Sequence, residues 1–200
     1  MTDKNNIDAS ELLSPNNMIR LYANGAFPMA DGKTGAINWY MPEVRTIIPL
    51  DNYNVPRSLK KIMPVSRLEI RYDFDFLGVV NNCANRDETW ISKELIEAYL
   101  RLEKLGFVHT VEIWLDNKLV GGLYGISFMG AFFGESMFST VPQASKIALV
   151  NLLMHLNEKG FTILDVQYMT EHLRMFGAKE ITFEEYAALL DKAYHVDCKF

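Results

Sequence analysis

The chain has 200 residues, of which 49% are hydrophobic and 22% are charged, and its formal net charge at pH 7 is −5. This length suits one moderate domain with a small appendage, and the composition is typical of a globular protein with a full hydrophobic core. The negative charge argues against a broad nonspecific nucleic-acid surface, although it leaves room for a local basic patch. No apolar run approaches the roughly 20 residues of a membrane-spanning helix, so we expect no membrane partner.

The polar N-terminus, residues 1–13, matches neither a signal peptide nor a transit peptide. The two cysteines, Cys83 and Cys198, lie far apart in the chain and form no metal-binding or redox motif. We therefore expect free thiols and a reducing, cytoplasmic location.

The first part of the chain predicts a small N-terminal domain. One helix begins after Ser14 and ends at Gly25, which are typical of a helix start and a helix end. A Gly-rich turn at residues 31–35 and one short extended run, residues 37–40, follow before a boundary at Pro42. We therefore divide the chain into a small domain, residues 1–41, and a main domain, residues 42–200.

The main domain alternates between the two kinds of element. The predicted strands cover residues 44–50, 66–72, 111–115, 119–126, 131–138 and 161–166. The predicted helices cover residues 56–63, 74–83, 92–105, 143–159 and 182–193. Three strands followed by a helix, a strand and a helix favour an α/β (α+β) fold with a mixed sheet and one parallel crossover. This is also the element order of an N-acetyltransferase-type sheet.

Three polar side chains stand in apolar settings. Asp165 and Gln167 end a short apolar run and lie two positions apart, so on a regular strand they project from the same face. Glu135 lies among apolar and small residues, where an acid without a partner is costly. The alternative for the pair is a strand end whose side chains bind backbone amides, and the alternative for Glu135 is a carboxylate that caps the helix beginning near Gln143.

An ordered set of motifs runs from about residue 14 to residue 183: YANGAFPM, INWYMPEVR, PRSLKK, TWI, AYLRLEKLG, HTVEIW, LVGGLYG, GESMFS, ASKIAL, LDVQ and HLRMFGA. The most specific part is GESMFS followed by ASK and then by D-x-Q. Together these motifs resemble the bacterial leucyl/phenylalanyl-tRNA–protein transferases.

The resemblance implies an enzyme that takes leucine, phenylalanine or methionine from its aminoacyl-tRNA. Such an enzyme joins that residue by a peptide bond to a protein with an N-terminal Lys or Arg, which marks the protein for degradation under the N-end rule. The resemblance also implies an N-acetyltransferase-like main domain behind a small N-terminal domain, and no metal or organic cofactor.

This reaction does not need a strong base. An α-amine has a pKa near 7.7–8.0, so roughly a tenth of it is free base at pH 7, and an aminoacyl ester is already activated. The enzyme needs mainly to position the reactants and to stabilise charge. We expect Gln167 to orient the attacking amine, Asp165 to hold Gln167 or stabilise the developing ammonium, and Glu135 to meet the positive charge of the acceptor or tune the pair. We rank Glu135 below Asp165 for catalysis and above it for acceptor recognition.

The resemblance also assigns residues to the donor. Its side chain is expected in an apolar pocket at the positions Leu123, Phe133, Leu152, Leu156 and Leu164, which on sequence grounds alone are core residues. Such a pocket accepts Leu, Phe or Met, but it separates near-isosteres poorly because one methylene is worth only about 1–3 kcal/mol.

The tRNA is expected at two places. Trp90 matches a family tryptophan that stacks on the terminal adenine, and Met29 stands where the family has a second tryptophan, so weaker stacking is expected there. Arg57, Lys60 and Lys61 share one face of a short helix and suit the phosphates of the acceptor stem, although a solvated helix face is the usual explanation of such a run. Few residues precede the first helix by comparison with the family, which leaves the contribution of the small domain to tRNA binding open.

Two other functions are compatible with the same fold. An acyl-CoA-dependent N-acetyltransferase needs a Gly-rich pyrophosphate loop before the helix near Gln143, but residues 139–144 contain a proline and no glycine, which argues against coenzyme A. A non-catalytic reader of basic N-termini would keep the acidic site and lose tRNA competence. The intact Glu135, Asp165 and Gln167 favour activity, and the lack of an obvious apolar surface stripe favours a monomer.

Overall fold

The computed structural model describes residues 9–200. The first eight residues of the predicted small domain, and with them most of the polar N-terminus, lie outside the described range. The α-helices are α1 (Ala9–Leu12), α2 (Pro15–Ala23), α3 (Arg57–Ile62), α4 (Phe76–Ala84), α5 (Lys93–Glu103), α6 (Ala144–Lys159), α7 (Glu171–Arg174) and α8 (Phe183–Ala193). The strands are β1 (Phe27–Ala30), β2 (Ile37–Tyr40), β3 (Val44–Ile48), β4 (Glu69–Tyr72), β5 (Val108–Leu115), β6 (Lys118–Phe128), β7 (Ala131–Ser139), β8 (Ile163–Gln167) and β9 (Lys179–Thr182).

Seven strands form the main sheet in the order β4-β5-β6-β7-β8-β3-β9, and β1 and β2 form a separate antiparallel pair. Neighbours in the main sheet are antiparallel except β7 and β8, which are parallel and are connected by α6. The predicted mixed α/β sheet with one parallel crossover is therefore confirmed. Among residues 9–200, no helix combines the length and the apolar character needed to cross a membrane.

The sheet divides between its two parallel strands. Their pairing covers only Ala131–Phe133 with Ile163–Asp165, after which β7 continues beside β6 and β8 continues beside β3. The register between β6 and β7 also shifts here, because Tyr124 pairs with Ser136 whereas Gly125 pairs with Gly134. Glu135 is the extra residue of this bulge, and a bulge redirects a side chain away from the regular pleat.

Two hydrophobic cores cover the two faces of the sheet. One contains Met18, Tyr22 and Phe27 together with side chains of α4, α5 and α8. The other is built around the apolar residues of α6. The described residues of the predicted small domain thus share a core with the main sheet, and α2 packs in this core together with side chains of β6 and β7.

Several short elements were not predicted, among them β1, β9, α1 and α7. β9, with the sequence KEIT, is a four-residue edge strand that pairs with β3, and its charged positions show no apolar alternation. Charged, short edge strands are common because they discourage further strand pairing. α1 and α7 have four residues each, which is too short for a helical hydrophobic period.

The bulge depends on a glycine in β6. A Cβ at Gly125 would overlap both the Phe132 ring and the carbonyl oxygen of Phe133, and the latter is backbone that cannot move aside. We expect Gly125→Ala to lower the free energy of unfolding by about 1–3 kcal/mol in urea denaturation. Gly32→Ala is the matched control, because a Cβ there would meet nothing within 4 Å. Equal stability of the two variants would contradict this explanation.

Candidate active site

A cavity of about 410 Å³ opens where β7 and β8 separate. One part of its wall is aliphatic and is formed by Leu123, Met137, Leu149, Leu152, Leu164, Val166 and Leu173. The other part carries polar and aromatic groups, namely Arg86, Trp90, Tyr124, Glu135, Ser136, Gln167, Tyr168, Thr170 and His172. An apolar concavity with a few convergent polar groups is the usual form of a small-ligand site.

Glu135 lines the cavity and is held by three donors. The Tyr22 hydroxyl donates to Oε1 at 2.9 Å, the Tyr99 hydroxyl donates to Oε2 at 2.9 Å, and the Gln167 Nε2 donates to Oε1 at 3.1 Å. The two tyrosine hydroxyl oxygens are themselves 3.0 Å apart. This carboxyl group is therefore fixed from α2, α5 and β8 at once, and it does not cap the helix that begins at Ala144.

Burial raises the pKa of Glu135 to about 8, although the hydrogen bonds from Tyr99 and Tyr22 act in the opposite direction. Burial, followed by the negative charge of Glu135, also raises the pKa of Tyr22 and of Tyr99 well above the ordinary tyrosine value. Both phenols thus remain protonated donors near neutral pH. The carboxyl group, by contrast, titrates in the range where a protein α-amine titrates.

Asp165 has a different environment. It is completely buried, and Arg45 donates to it from Nε at 3.0 Å to each carboxylate oxygen and from Nη2 at 2.5 Å. The Tyr186 hydroxyl donates to Oδ2 at 2.7 Å, and the backbone N–H of Gln167 donates to Oδ1 at 2.8 Å. The Arg45 guanidinium also lies over the Phe27 ring, 4.6 Å from its centroid. Asp165 does not line the cavity and acts on the site through Gln167.

Gln167 connects the two acids. Its backbone N–H binds Asp165, its side-chain Nε2 binds Glu135, and its φ of 65° is left-handed. This conformation ends the strand alternation that the sequence suggested, so Gln167 lines the cavity whereas Asp165 does not. Because Nε2 is engaged, the amide oxygen is the atom left to accept a hydrogen bond from a ligand; no described residue donates to it.

The structure brings many of the predicted residues to this cavity. Glu135, Gln167, Leu123, Leu152, Leu164 and Trp90 line it. Phe133 and Leu156 lie in the two cores instead, with the Phe133 ring 5.5 Å from that of Tyr22. Met29 also lies outside the cavity wall, but the next residue, Ala30, donates its N–H to the Trp90 carbonyl at 3.0 Å.

The predicted phosphate-binding residues are not among the residues that line the cavity. Arg57, Lys60 and Lys61 are exposed on α3, and none of them forms an ion pair with another residue of the described range.

Sequence reasoning missed the residues that hold the two acids. Tyr22, Tyr99 and Arg45 stand inside the motifs YANGAFPM, AYLRLEKLG and INWYMPEVR, but no role in the site was predicted for them. Tyr186 stands outside those motifs, on α8. The signal that was available is a phenol on an otherwise apolar helix face, which needs a polar partner when it is buried.

His172 is a second missed residue. It lines the cavity, and burial followed by the charge of Lys146 lowers its pKa, so the imidazole is neutral at pH 7. Its Nε2 is buried and has no hydrogen-bond partner among residues 9–200.

Among the described residues, no group of three or more His, Cys, Asp or Glu side chains is arranged to hold a metal ion.

Comparison with known proteins gives a consistent assignment. Residues 47–191 match the family model described as leucyl/phenylalanyl-tRNA protein transferase, and residues 11–43 match the model of the N-terminal domain of the same family.

Curated relatives carry the name leucyl/phenylalanyl-tRNA–protein transferase. One from Gloeobacter violaceus is 45% identical, over 94% of this chain and 97% of the relative. One from Phenylobacterium zucineum is 49% identical, over 96% of this chain and 87% of the relative. One from Chlorobium limicola is 42% identical, over 97% of this chain and 99% of the relative.

The motif resemblance is thus confirmed over nearly the whole length of the protein. The match covers the strands that carry Glu135, Asp165 and Gln167 as well as the helix that carries Tyr22. The chain belongs to the leucyl/phenylalanyl-tRNA–protein transferase family.

Proposed function

We propose that this aminoacyltransferase moves leucine or phenylalanine, and also methionine, from aminoacyl-tRNA to the α-amino group of proteins that begin with Lys or Arg. The observation that carries the proposal is the cavity itself. Its lining combines aliphatic side chains with Glu135 and Gln167, so an acyl group held there by its side chain presents its ester to these two polar groups.

The aliphatic wall accounts for the donor. Leu123, Leu149, Leu152 and Leu164 offer an apolar side chain van der Waals contact and offer a polar one no hydrogen bond. Leucine, phenylalanine and methionine therefore enter, whereas charged and strongly polar donors are excluded by the cost of desolvation. None of these three side chains has a strong hydrogen-bonding group by which the pocket could select it, so one apolar wall accepts all of them.

The reaction forms a C–N bond between the acceptor amine and the ester carbonyl carbon, and it breaks the C–O bond to the terminal ribose. The Gln167 amide oxygen accepts an N–H of the amine and aims its lone pair at the carbonyl carbon. The proton lost by the nitrogen ends on the ribose hydroxyl that leaves. Glu135, with its pKa of about 8, exchanges a proton or balances the positive charge of the attacking nitrogen without a large driving force in either direction. Asp165 is a positioning residue, because it fixes the backbone of Gln167.

The acceptor preference rests on charge. Glu135 is the carboxylate that lines this cavity within the described residues, and a basic first residue brings a cation towards it. The same features support the catalytic interpretation over the non-catalytic reader, since a reader has no use for an acyl pocket beside the acid.

Further proposals concern the setting of the site. The division into residues 1–41 and 42–200 is supported by the separate matches to residues 11–43 and 47–191. An N-acetyltransferase-like main domain is supported by the single β7–α6–β8 crossover and the opening beyond it. Both cysteines are free thiols, which supports a cytoplasmic protein. We also propose that the protein acts as a monomer. Arg57, Lys60 and Lys61 are the proposed contacts to the tRNA backbone.

Transfer of radiolabelled leucine or phenylalanine from charged tRNA tests the function directly. We expect a model protein with an N-terminal Arg to be labelled and the same protein with an N-terminal Ala to remain unlabelled. Binding of the Arg protein without any labelling would replace the proposal with the non-catalytic reader.

The role of Asp165 predicts a rate defect. We expect Asp165→Ala to slow transfer at saturating tRNA and to leave the Kd for tRNA near the wild-type value. Tyr186→Phe is the milder variant, because it removes one 2.7 Å hydrogen bond from Asp165 and keeps the ring. We expect about a tenfold slower transfer from it, in line with the typical worth of a hydrogen bond to a charged group. A loss of tRNA affinity with an unchanged rate would exclude this role.

The buried Glu135 predicts a pH-dependent stability. Its pKa of about 8 in the folded protein lies above the ordinary value of 4.5, so the folded state favours the protonated form. The associated stability is complete below about pH 4.5 and is lost as the pH rises through about 8. We expect urea denaturation to show a loss of several kcal/mol between these limits that is absent in Glu135→Gln. Parallel pH profiles of the two proteins would show that the carboxyl group ionises normally.

A further inference from the structure

Two of the aromatic side chains that line the cavity, Trp90 and Tyr168, are partly exposed, and we take them to mark its entrance. Trp90 is half-buried and packs on the core shared with α2, whereas Tyr168 is 47% exposed and directly follows Gln167. The Tyr168 ring meets the Phe27 ring nearly at right angles, with 5.6 Å between the centroids. Its backbone N–H is also fixed, since it donates to the Val166 carbonyl at 2.8 Å. Tyr168 is therefore a held side chain with much of its ring open to a ligand.

We propose that Tyr168 is a stacking platform for the terminal base of the donor tRNA, alongside Trp90. This inference rests on the proposed function. The donor is an ester between the amino acid and the terminal nucleoside, so a side chain seated on the aliphatic wall leaves that nucleoside at the cavity entrance. Unpaired bases at the end of an RNA are bound by stacking on aromatic side chains, which is tolerant of base identity.

The position of Met29 favours Tyr168 as the second platform. Met29 packs against the hydrophobic core and does not line the cavity. The strand that contains Met29, β1, contacts the loop that carries Trp90 through the hydrogen bond from the Ala30 N–H to the Trp90 carbonyl. The second ring at the entrance thus comes from the end of β8, where it follows the amide that orients the amine. Because Tyr168 directly follows Gln167 and both line the cavity, a base stacked on Tyr168 would lie close to the amide that orients the amine.

The experiment uses the whole protein and chemically charged RNA donors that end either in adenosine or in an abasic nucleoside. We expect Tyr168→Ala to raise the KM for the adenosine-ended donor by about 5- to 150-fold, the usual worth of one base stack. Tyr168→Phe keeps the ring and should stay within about twofold of the wild type. With the abasic donor, wild type and Tyr168→Ala should have the same KM, because no base is left to stack.

Tyr40→Ala is the matched control. Tyr40 is 39% exposed and also stacks on Phe27, with 6.2 Å between the ring centroids, but it lies outside the cavity wall. We expect its KM to be unchanged with both donors. An equal defect of Tyr40→Ala would assign the effect to the support of Phe27 and overturn the proposal.

Other outcomes separate this inference from the proposed function. Efficient transfer by the wild type with no effect of Tyr168→Ala overturns the stacking role alone, and tighter donor binding by Met29→Trp would then return the second platform to Met29. An equal defect with adenosine-ended and abasic donors also overturns it. Failure of the wild type to transfer from any donor overturns the proposed function and this inference together.

Discussion

The buried ion pair between Arg45 and Asp165 is the interaction on which the rest of the site depends. It joins β3 to β8, takes a third donor from α8 through Tyr186, and lies against Phe27 of β1. A charge at this depth is tolerated only with a well-aligned partner, and removal of one partner of such a pair typically costs 3–5 kcal/mol. The same carboxylate binds the backbone N–H of Gln167. The buried pair of Arg45 and Asp165 therefore also supports the left-handed backbone of Gln167.

Glu135 has a different environment, because its hydrogen-bond donors are uncharged. Glu135 is held by neutral donors, two phenols and an amide, and no cationic side chain of residues 9–200 forms an ion pair with it. Burial without a bound counter-charge raises its pKa to about 8, which brings its titration close to neutral pH. Two carboxyl groups in contrasting environments are a common way for one site to combine a positioning charge with a titrating group. Gln167 contacts both acids: its backbone N–H binds Asp165, and its side-chain amide binds Glu135.

The sequence predicted the elements of the main domain well, because periodicity and caps are local signals. It also predicted Glu135 and Gln167 as neighbours in a site, and the structure joins them by a direct hydrogen bond. It did not predict which residues hold them, since Arg45 lies 120 positions from Asp165 and Tyr22 lies 113 positions from Glu135. Nothing in a local pattern encodes such contacts.

The same limit applies to the predicted donor wall. Apolar periodicity shows that a side chain is buried, but it does not show in which of two cores it lies. Leu152 and Leu156 stand one turn apart on α6, yet only Leu152 reaches the cavity. The bulge at Glu135 and the left-handed backbone at Gln167 were invisible for a related reason, because both residues break the strand pattern locally and owe their conformation to distant partners. Departures from local rules are expected where a fold supports chemistry.

The titration of Glu135 links acceptor charge to chemistry in the proposed reaction. A cation near a carboxyl group favours its ionised form, so an N-terminal Lys or Arg lowers a pKa that starts at about 8. The ionised carboxylate in turn favours the positive charge that develops on the attacking nitrogen. An uncharged acceptor meets the same cavity with Glu135 largely protonated at pH 7 and without that assistance. Discrimination between acceptors then acts on the rate of transfer as well as on binding, and a single buried acid is sufficient for both.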